Sequence, residues 1–96
     1  MLVVATYDVD VTQKDGAKRL RHVAKICEKW GIRVQNSVFE LLVSQSQFIR
    51  VKNELLKTIN PETDSIRFYQ LGNHFETKIS VIGKQPIIET GKEIIL

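Results

Sequence analysis

Hydrophobic and polar positions change period several times along the chain. Residues 2–9 (Leu-Val-Val-Ala-Thr-Tyr-Asp-Val) form a nearly unbroken apolar and β-branched run, the pattern of a strand covered on both faces in the middle of a sheet. Its end places Tyr7 and Asp8 at an edge. Residues 10–16 are polar and rich in turn formers, and Gly31 sits where a left-handed residue would stop a helix. Between them Leu20, Val23, Ala24, Cys27 and Trp30 recur on one face at about 100° per residue, which predicts a first helix packed on a sheet. Lys14, Lys18, Arg21, Lys25 and Lys29 fall together on the opposite face as a basic stripe. Arg19 belongs to neither group. It projects to the flank of the apolar face near Ile26 and Trp30, where its charge must reach past the core edge toward water or a partner.

Residues 33–43 are β-branched and apolar, but Gln35-Asn36-Ser37 has the composition of a tight turn, so a single strand and a hairpin both fit. Ser44 and Gln47 have capping-box spacing, and Phe48, Val51, Leu55 and Ile59 then share one helical face until Pro61, which predicts a second helix. Residues 65–71 carry Ile66, Phe68, Tyr69 and Leu71 and read as a strand that ends at the Gly72-Asn73 turn. Residues 79–82 read as a shorter strand. Ile87, Ile88, Ile94, Ile95 and Leu96 then follow a complete set of elements, so this apolar tail is expected to dock on the domain or on a second copy.

The chain has 96 residues, 43% apolar and 26% charged, in the ordinary range for one compact domain. A chain of this size buries only about two thirds of the surface its unfolded form exposes, so a second subunit or a ligand would help its stability. Fourteen Lys and Arg against eleven Asp and Glu leave a net charge of +3, too small an excess to establish a nucleic-acid partner by itself. No basic stretch precedes the N-terminal apolar run, and no run approaches the roughly 20 residues a membrane span needs. The single Cys27 cannot form an internal disulfide, so a soluble cytoplasmic protein with no membrane contact is expected. His22 and His74 stand apart from any motif; the chain has neither a His/Cys cluster for zinc nor a Gly-rich phosphate loop.

Four segments occur in a telling order: Ala5-Thr6-Tyr7-Asp8-Val9, then Lys18-Arg19-Leu20-Arg21, then residues 31–40 (Gly-Ile-Arg-Val-Gln-Asn-Ser-Val-Phe-Glu), then residues 64–71 (Asp-Ser-Ile-Arg-Phe-Tyr-Gln-Leu). Together they resemble the CRISPR-associated Cas-two family over nearly the whole chain, and the segment from Arg33 to Glu40 is the most specific part. The basic first helix and the Arg-Val-Gln-x-Ser-Val-Phe-Glu wording look most like members from type I-C loci. The resemblance implies an α+β fold, a ferredoxin-like βαββαβ sandwich over residues 1–82. It further implies that residues 83–96 supply an extra C-terminal strand that docks on the partner of a homodimer. That topology requires a hairpin between the helices, hence a turn near Gln35 to Ser37.

The function implied is a CRISPR-associated, magnesium-dependent endonuclease acting on duplex DNA or RNA. It would work in spacer acquisition and antiviral defence beside a CRISPR-associated integrase. Phosphodiester hydrolysis needs an activated water and stabilisation of phosphate charge, which Mg2+ (or Mn2+) supplies. Magnesium takes one or two protein carboxylates, so a symmetric pair of Asp8 side chains at a dimer axis would suffice, whereas one chain offers a poor site. Arg19, Arg21 and Arg33 match positions where the family carries arginines implicated in phosphate binding or cleavage. Guanidinium suits bidentate phosphate contact. Asp8, Arg19 and Arg33 are thus the catalytic candidates, and Lys14, Lys18, Arg21 and Lys25 the nucleic-acid-binding ones. Tyr7, Ser37 and Phe39 form a second tier: Tyr7 points away from Asp8 by strand alternation, Ser37 serves the turn or the site, and Phe39 equally suits packing. Asp10, in a solvated loop, stays outside this set. Two rival readings are a nonenzymatic scaffold that holds integrase dimers apart on duplex DNA and a toxin-like endoribonuclease. An RNA-recognition module is disfavoured because the strands lack interleaved aromatics for base stacking.

Overall fold

The computed structural model describes residues 1–84. Its elements are β1 (Leu2–Asp8), α1 (Gly16–Trp30), β2 (Gly31–Gln35), β3 (Val38–Leu42), α2 (Gln45–Thr58) and β4 (Ser65–Gly72), followed by a 3₁₀ turn at Glu76–Lys78. The strands pair antiparallel in the order β2-β3-β1-β4, with both helices on one face. This is the ferredoxin-like βαββαβ arrangement.

The N-terminal strand is central: Ala5 lies opposite Phe39 on β3 and opposite Phe68 on β4. Alternation sends Val3, Ala5 and Tyr7 toward the helices, where they are buried with Phe39 and Leu41. Its other face differs from the two-sided cover expected of so apolar a run. Val4 and Thr6 are only half-covered and Asp8 is exposed, because both helices of the described residues lie on the opposite side.

Helix α1 packs through Val23, Ala24 and Cys27, and Leu20 and Trp30 lie against the same core. Burial pushes the Cys27 thiol up to about 11, so it is a packing group and not a nucleophile. The end of α1 departs from expectation: Gly31 is extended, at φ −169°, and begins β2 with no connecting residue. Glycine is needed there for close approach, since a Cβ would lie 2.2 Å from the Glu40 carbonyl oxygen. The left-handed residue is instead Asp15, at φ 62°, just before α1.

The middle segment is a hairpin, turning at Asn36 and Ser37. Helix α2 starts with the capping box: Gln47 N donates to Ser44 Oγ at 3.2 Å and Ser44 N donates to Gln47 Oε1 at 2.8 Å. Phe48, Val51 and Leu55 are buried as its periodicity requires. Residues 79–82 are not a strand. Ile79 is extended, but the segment finds no ladder among the described residues and runs beside a groove lined by Val34, Gln35 and Glu40. The apolar tail from Ile87 to Leu96 and its expected docking lie outside the described residues, which include only Gly83 and Lys84 of the expected C-terminal strand. Among the described residues no helix is long and apolar enough to cross a membrane.

Candidate active site

Asp8 closes β1, and its backbone sits opposite Ser65 at the start of β4. On the other flank Tyr7 N donates to the Ser37 carbonyl at 3.1 Å, so the hairpin turn and β4 together hold the strand end. The Asp8 side chain is exposed on the open face of the sheet, and among the described residues it makes no ion pair.

Tyr7, Arg33 and Phe39 come together on the helix side. The Tyr7 and Phe39 rings stack with centroids 6.1 Å apart, and the Arg33 guanidinium carbon lies 5.1 Å from the Phe39 ring. Burial pushes the Tyr7 phenol up, with partial relief from Arg33, and its hydroxyl donates to the Asn36 carbonyl at 3.3 Å. Arg33 Nη2 is 3.6 Å from Glu28 Oε1 across an exposed rim. Strand alternation therefore puts Arg33 and Asp8 on opposite sides of the sheet.

Arg19 does not reach toward water or toward Trp30. Its Nε donates to Asp64 Oδ2 at 2.8 Å, its Nη2 reaches Oδ1 at 3.4 Å, and its Nη1 donates to the Lys14 carbonyl at 2.9 Å. The Asp64 side chain is wholly buried. It also accepts from Asn60 N at 2.9 Å, Asp10 N at 3.0 Å and Thr63 Oγ1 at 3.1 Å. Burial works to raise the Asp64 carboxyl, but Arg19 and the backbone donors outweigh it and hold the group well below the usual carboxylate range. Sequence reasoning missed Asp64 as a site residue. Its only signals were its place at the start of the last resembling segment and its position just ahead of a strand.

Lys18, Arg21 and Lys25 are exposed, as the helical stripe requires, and Lys14 is exposed too but lies in the loop before α1, because the helix begins only at Gly16 after the left-handed Asp15. Lys29 is partly neutralised, with its Nζ 3.4 Å from Glu54 Oε1. His22 and His74 are exposed and lie outside these clusters.

The donor set for a metal is sparse. Among the described residues no group of three His, Cys, Asp or Glu side chains converges. Asp10 Oδ1 is taken by Thr12, accepting from its backbone N–H and its hydroxyl, and these bonds hold the Asp10 carboxyl below its usual range. Among the described residues the strand end thus offers Asp8, a hard oxygen donor of the kind magnesium accepts when other ligands come from water, phosphate or a second carboxylate.

Comparison with known proteins bears on this arrangement directly. The family described as CRISPR associated protein Cas2 matches residues 1–79. The chain is 48% identical to the CRISPR-associated endonuclease Cas2 of Halalkalibacterium halodurans over 95 residues, 99% of each protein. It is 38% identical to a CRISPR-associated endoribonuclease Cas2 of Rhodospirillum rubrum over 99% of this chain and 100% of that protein. The crystal structure of Streptococcus pyogenes Cas2 superimposes with a TM-score of 0.76 at 48% identity, covering 86% of this chain and 100% of that one. With the βαββαβ order and a strand-end Asp8 in place, the chain belongs to the CRISPR-associated Cas2 family.

Proposed function

We propose that this protein is a homodimeric, metal-dependent endonuclease of CRISPR adaptation, cutting phosphodiester bonds where the Asp8 residues of two copies meet. One observation carries the reading: an exposed carboxylate without an ion-pair partner among the described residues ends the central strand, in a chain whose relatives are named endonuclease and endoribonuclease. A second copy is supported by the sheet face turned away from the helices, where among the described residues Val4 and Val38 are half-covered, Leu42 is 62% exposed and Tyr69 is 45% exposed. A two-fold axis across that face would bring a second Asp8 to the first.

Magnesium or manganese, when bound, supplies water activation and charge neutralisation at the phosphate. Asp8 would hold the ion. Lys14, Lys18, Arg21 and Lys25 would grip the nucleic-acid backbone without reading bases. Arg33, exposed at the rim and braced by Phe39, would contact a phosphate through its fork. Tyr7 braces the same cluster, and Ser37 ties the hairpin turn to β1. Spacer acquisition with an integrase partner, antiviral defence, a type I-C context and docking of residues 83–96 on the partner subunit belong to this reading. They rest on family membership.

A second reading is the nonenzymatic scaffold, favoured by the exposed basic stripe, which would bind duplex DNA whether or not Asp8 cuts. Incubating the purified protein with labelled duplex DNA and labelled RNA, with and without Mg2+ or Mn2+, separates the two. Metal-dependent cleavage should fall at least about a hundredfold in Asp8→Asn. Duplex binding without cleavage by the wild type would favour the scaffold, and undiminished cleavage by Asp8→Asn would remove Asp8 from the mechanism.

A further inference from the structure

We propose that Arg19 and Asp64 act as one positioning unit that fixes the backbone after Asp8, and that Arg19 is not a ligand of substrate phosphate. This rests on the nuclease reading centred on Asp8, and it changes the role that an arginine at this position would otherwise receive.

The argument starts from what Asp64 fastens. Its carboxylate accepts from Asp10 N, two residues beyond Asp8, and Asp64 itself precedes Ser65, the register partner of Asp8. Both strands of the Asp8–Ser65 rung are therefore anchored to a single buried group. The same carboxylate takes Asn60 N and Thr63 Oγ1 from the loop before β4 and the Arg19 fork from α1. Arg19 adds the Lys14 carbonyl, which ties the end of the β1–α1 loop to the helix.

The loop has little freedom to compensate. Asp10 is locked to Thr12 through its own carboxylate, and Gly16 packs so tightly that a Cβ there would lie 2.2 Å from the Asp10 carbonyl oxygen. Turning the guanidinium toward a phosphate would strand a carboxylate whose side chain is 0% exposed, a far less favourable state than leaving an exposed Lys14 or Arg21 to meet the phosphate. The chain thus contains two kinds of cation on α1 and the loop before it. Arg19 is committed to architecture, and the stripe faces solvent.

The test compares Arg19→Gln, Asp64→Asn and the double variant, using labelled duplex DNA and RNA with Mg2+. Each single change should lower kcat about tenfold or more while KM moves less than about twofold, and the double variant should be no worse than the weaker single variant. Losses that multiply overturn the proposal. So does an Arg19→Gln variant with raised KM and a binding salt slope reduced by about one unit, which is the signature of a side chain that had met a phosphate.

Should these variants fail to fold, the wild type decides by nuclear magnetic resonance in metal-free titrations with a short RNA and a short DNA duplex. The Arg19 Nε–H and the Asp10 amide should stay unshifted and slow to exchange while stripe resonances move. A shift of the Arg19 Nε–H at saturating nucleic acid, or rapid exchange at Asp10 in the free protein, overturns the unit. Absence of Asp8-dependent cleavage in the wild type would sink the nuclease reading alone, since the titration still judges the pairing.

Discussion

The two faces of β1 are held by different means. On the helix side Val3, Ala5 and Tyr7 are buried with Phe39, Leu41 and the helix residues Val23, Val51 and Leu55. On the other side Val4 and Thr6 are half-covered and Asp8 stands in solvent. Tyr7 and Asp8 are neighbours in sequence, yet one is a brace and the other an exposed carboxylate with no ion pair among the described residues. Strand alternation thereby separates the groups that fold the chain from those available to a substrate or a second copy.

The sharpest way to break this contrast is to empty the covered face. Phe39 is fully buried, stacks on Tyr7 and supports Arg33, so Phe39→Ala should cost about 3–5 kcal/mol in denaturant unfolding at fixed protein concentration. A loss below about 1 kcal/mol would mean that the ring is not core.

A smaller effect is expected at the seam between the faces, where Asp64 sits. Its folded carboxyl is held below its ordinary value of 3.8, so its contribution is present above that value and is lost as pH falls through the folded one. Urea unfolding followed below about pH 4 should show stability falling with acid, and Asp64→Asn should flatten that slope. Equal slopes in the two proteins would assign the acid loss to other carboxylates.

The smallest effect on folding belongs to the exposed stripe. Changing Lys14, Lys18 and Lys25 to Gln should leave the unfolding midpoint within about 0.5 kcal/mol and weaken duplex binding for all sequences alike. The slope of log K against log salt should flatten by roughly one unit for each phosphate that the stripe no longer neutralises. An unchanged slope would make the stripe an ordinary solvated helix face.

Much of the fold was legible because local periodicity carries it. Val23, Ala24 and Cys27 on α1, and Phe48, Val51 and Leu55 on α2, are buried where a helical repeat puts them. The Ser44 and Gln47 cap formed at the predicted helix start. The hairpin was ambiguous from composition alone and followed only from the family resemblance, since a turn of Asn36 and Ser37 inside a β-branched run has no period of its own. Gly31 misled because glycine after a helix usually marks a left-handed stop, whereas here it makes room for the Glu40 carbonyl, a neighbour supplied by the next strand. Asp8 was legible as a strand end. The Arg19–Asp64 pair was not, because its members stand 45 residues apart and their meeting depends on how α1 and the loop before β4 pack.

The place of β1 in the sheet also shapes how the chain is made. Within this sequence the strand precedes both of its neighbours, and one of them, β4, begins only at Ser65. At synthesis rates of about 5–20 residues per second, the Leu-Val-Val-Ala-Thr-Tyr run waits roughly 3 to 13 seconds for that edge to be covered. During this interval it is a β-prone, uncharged segment exposed to other nascent chains. Asp8 is the charged side chain that directly follows this run, the position at which a charge lowers a strand's tendency to pair with other chains.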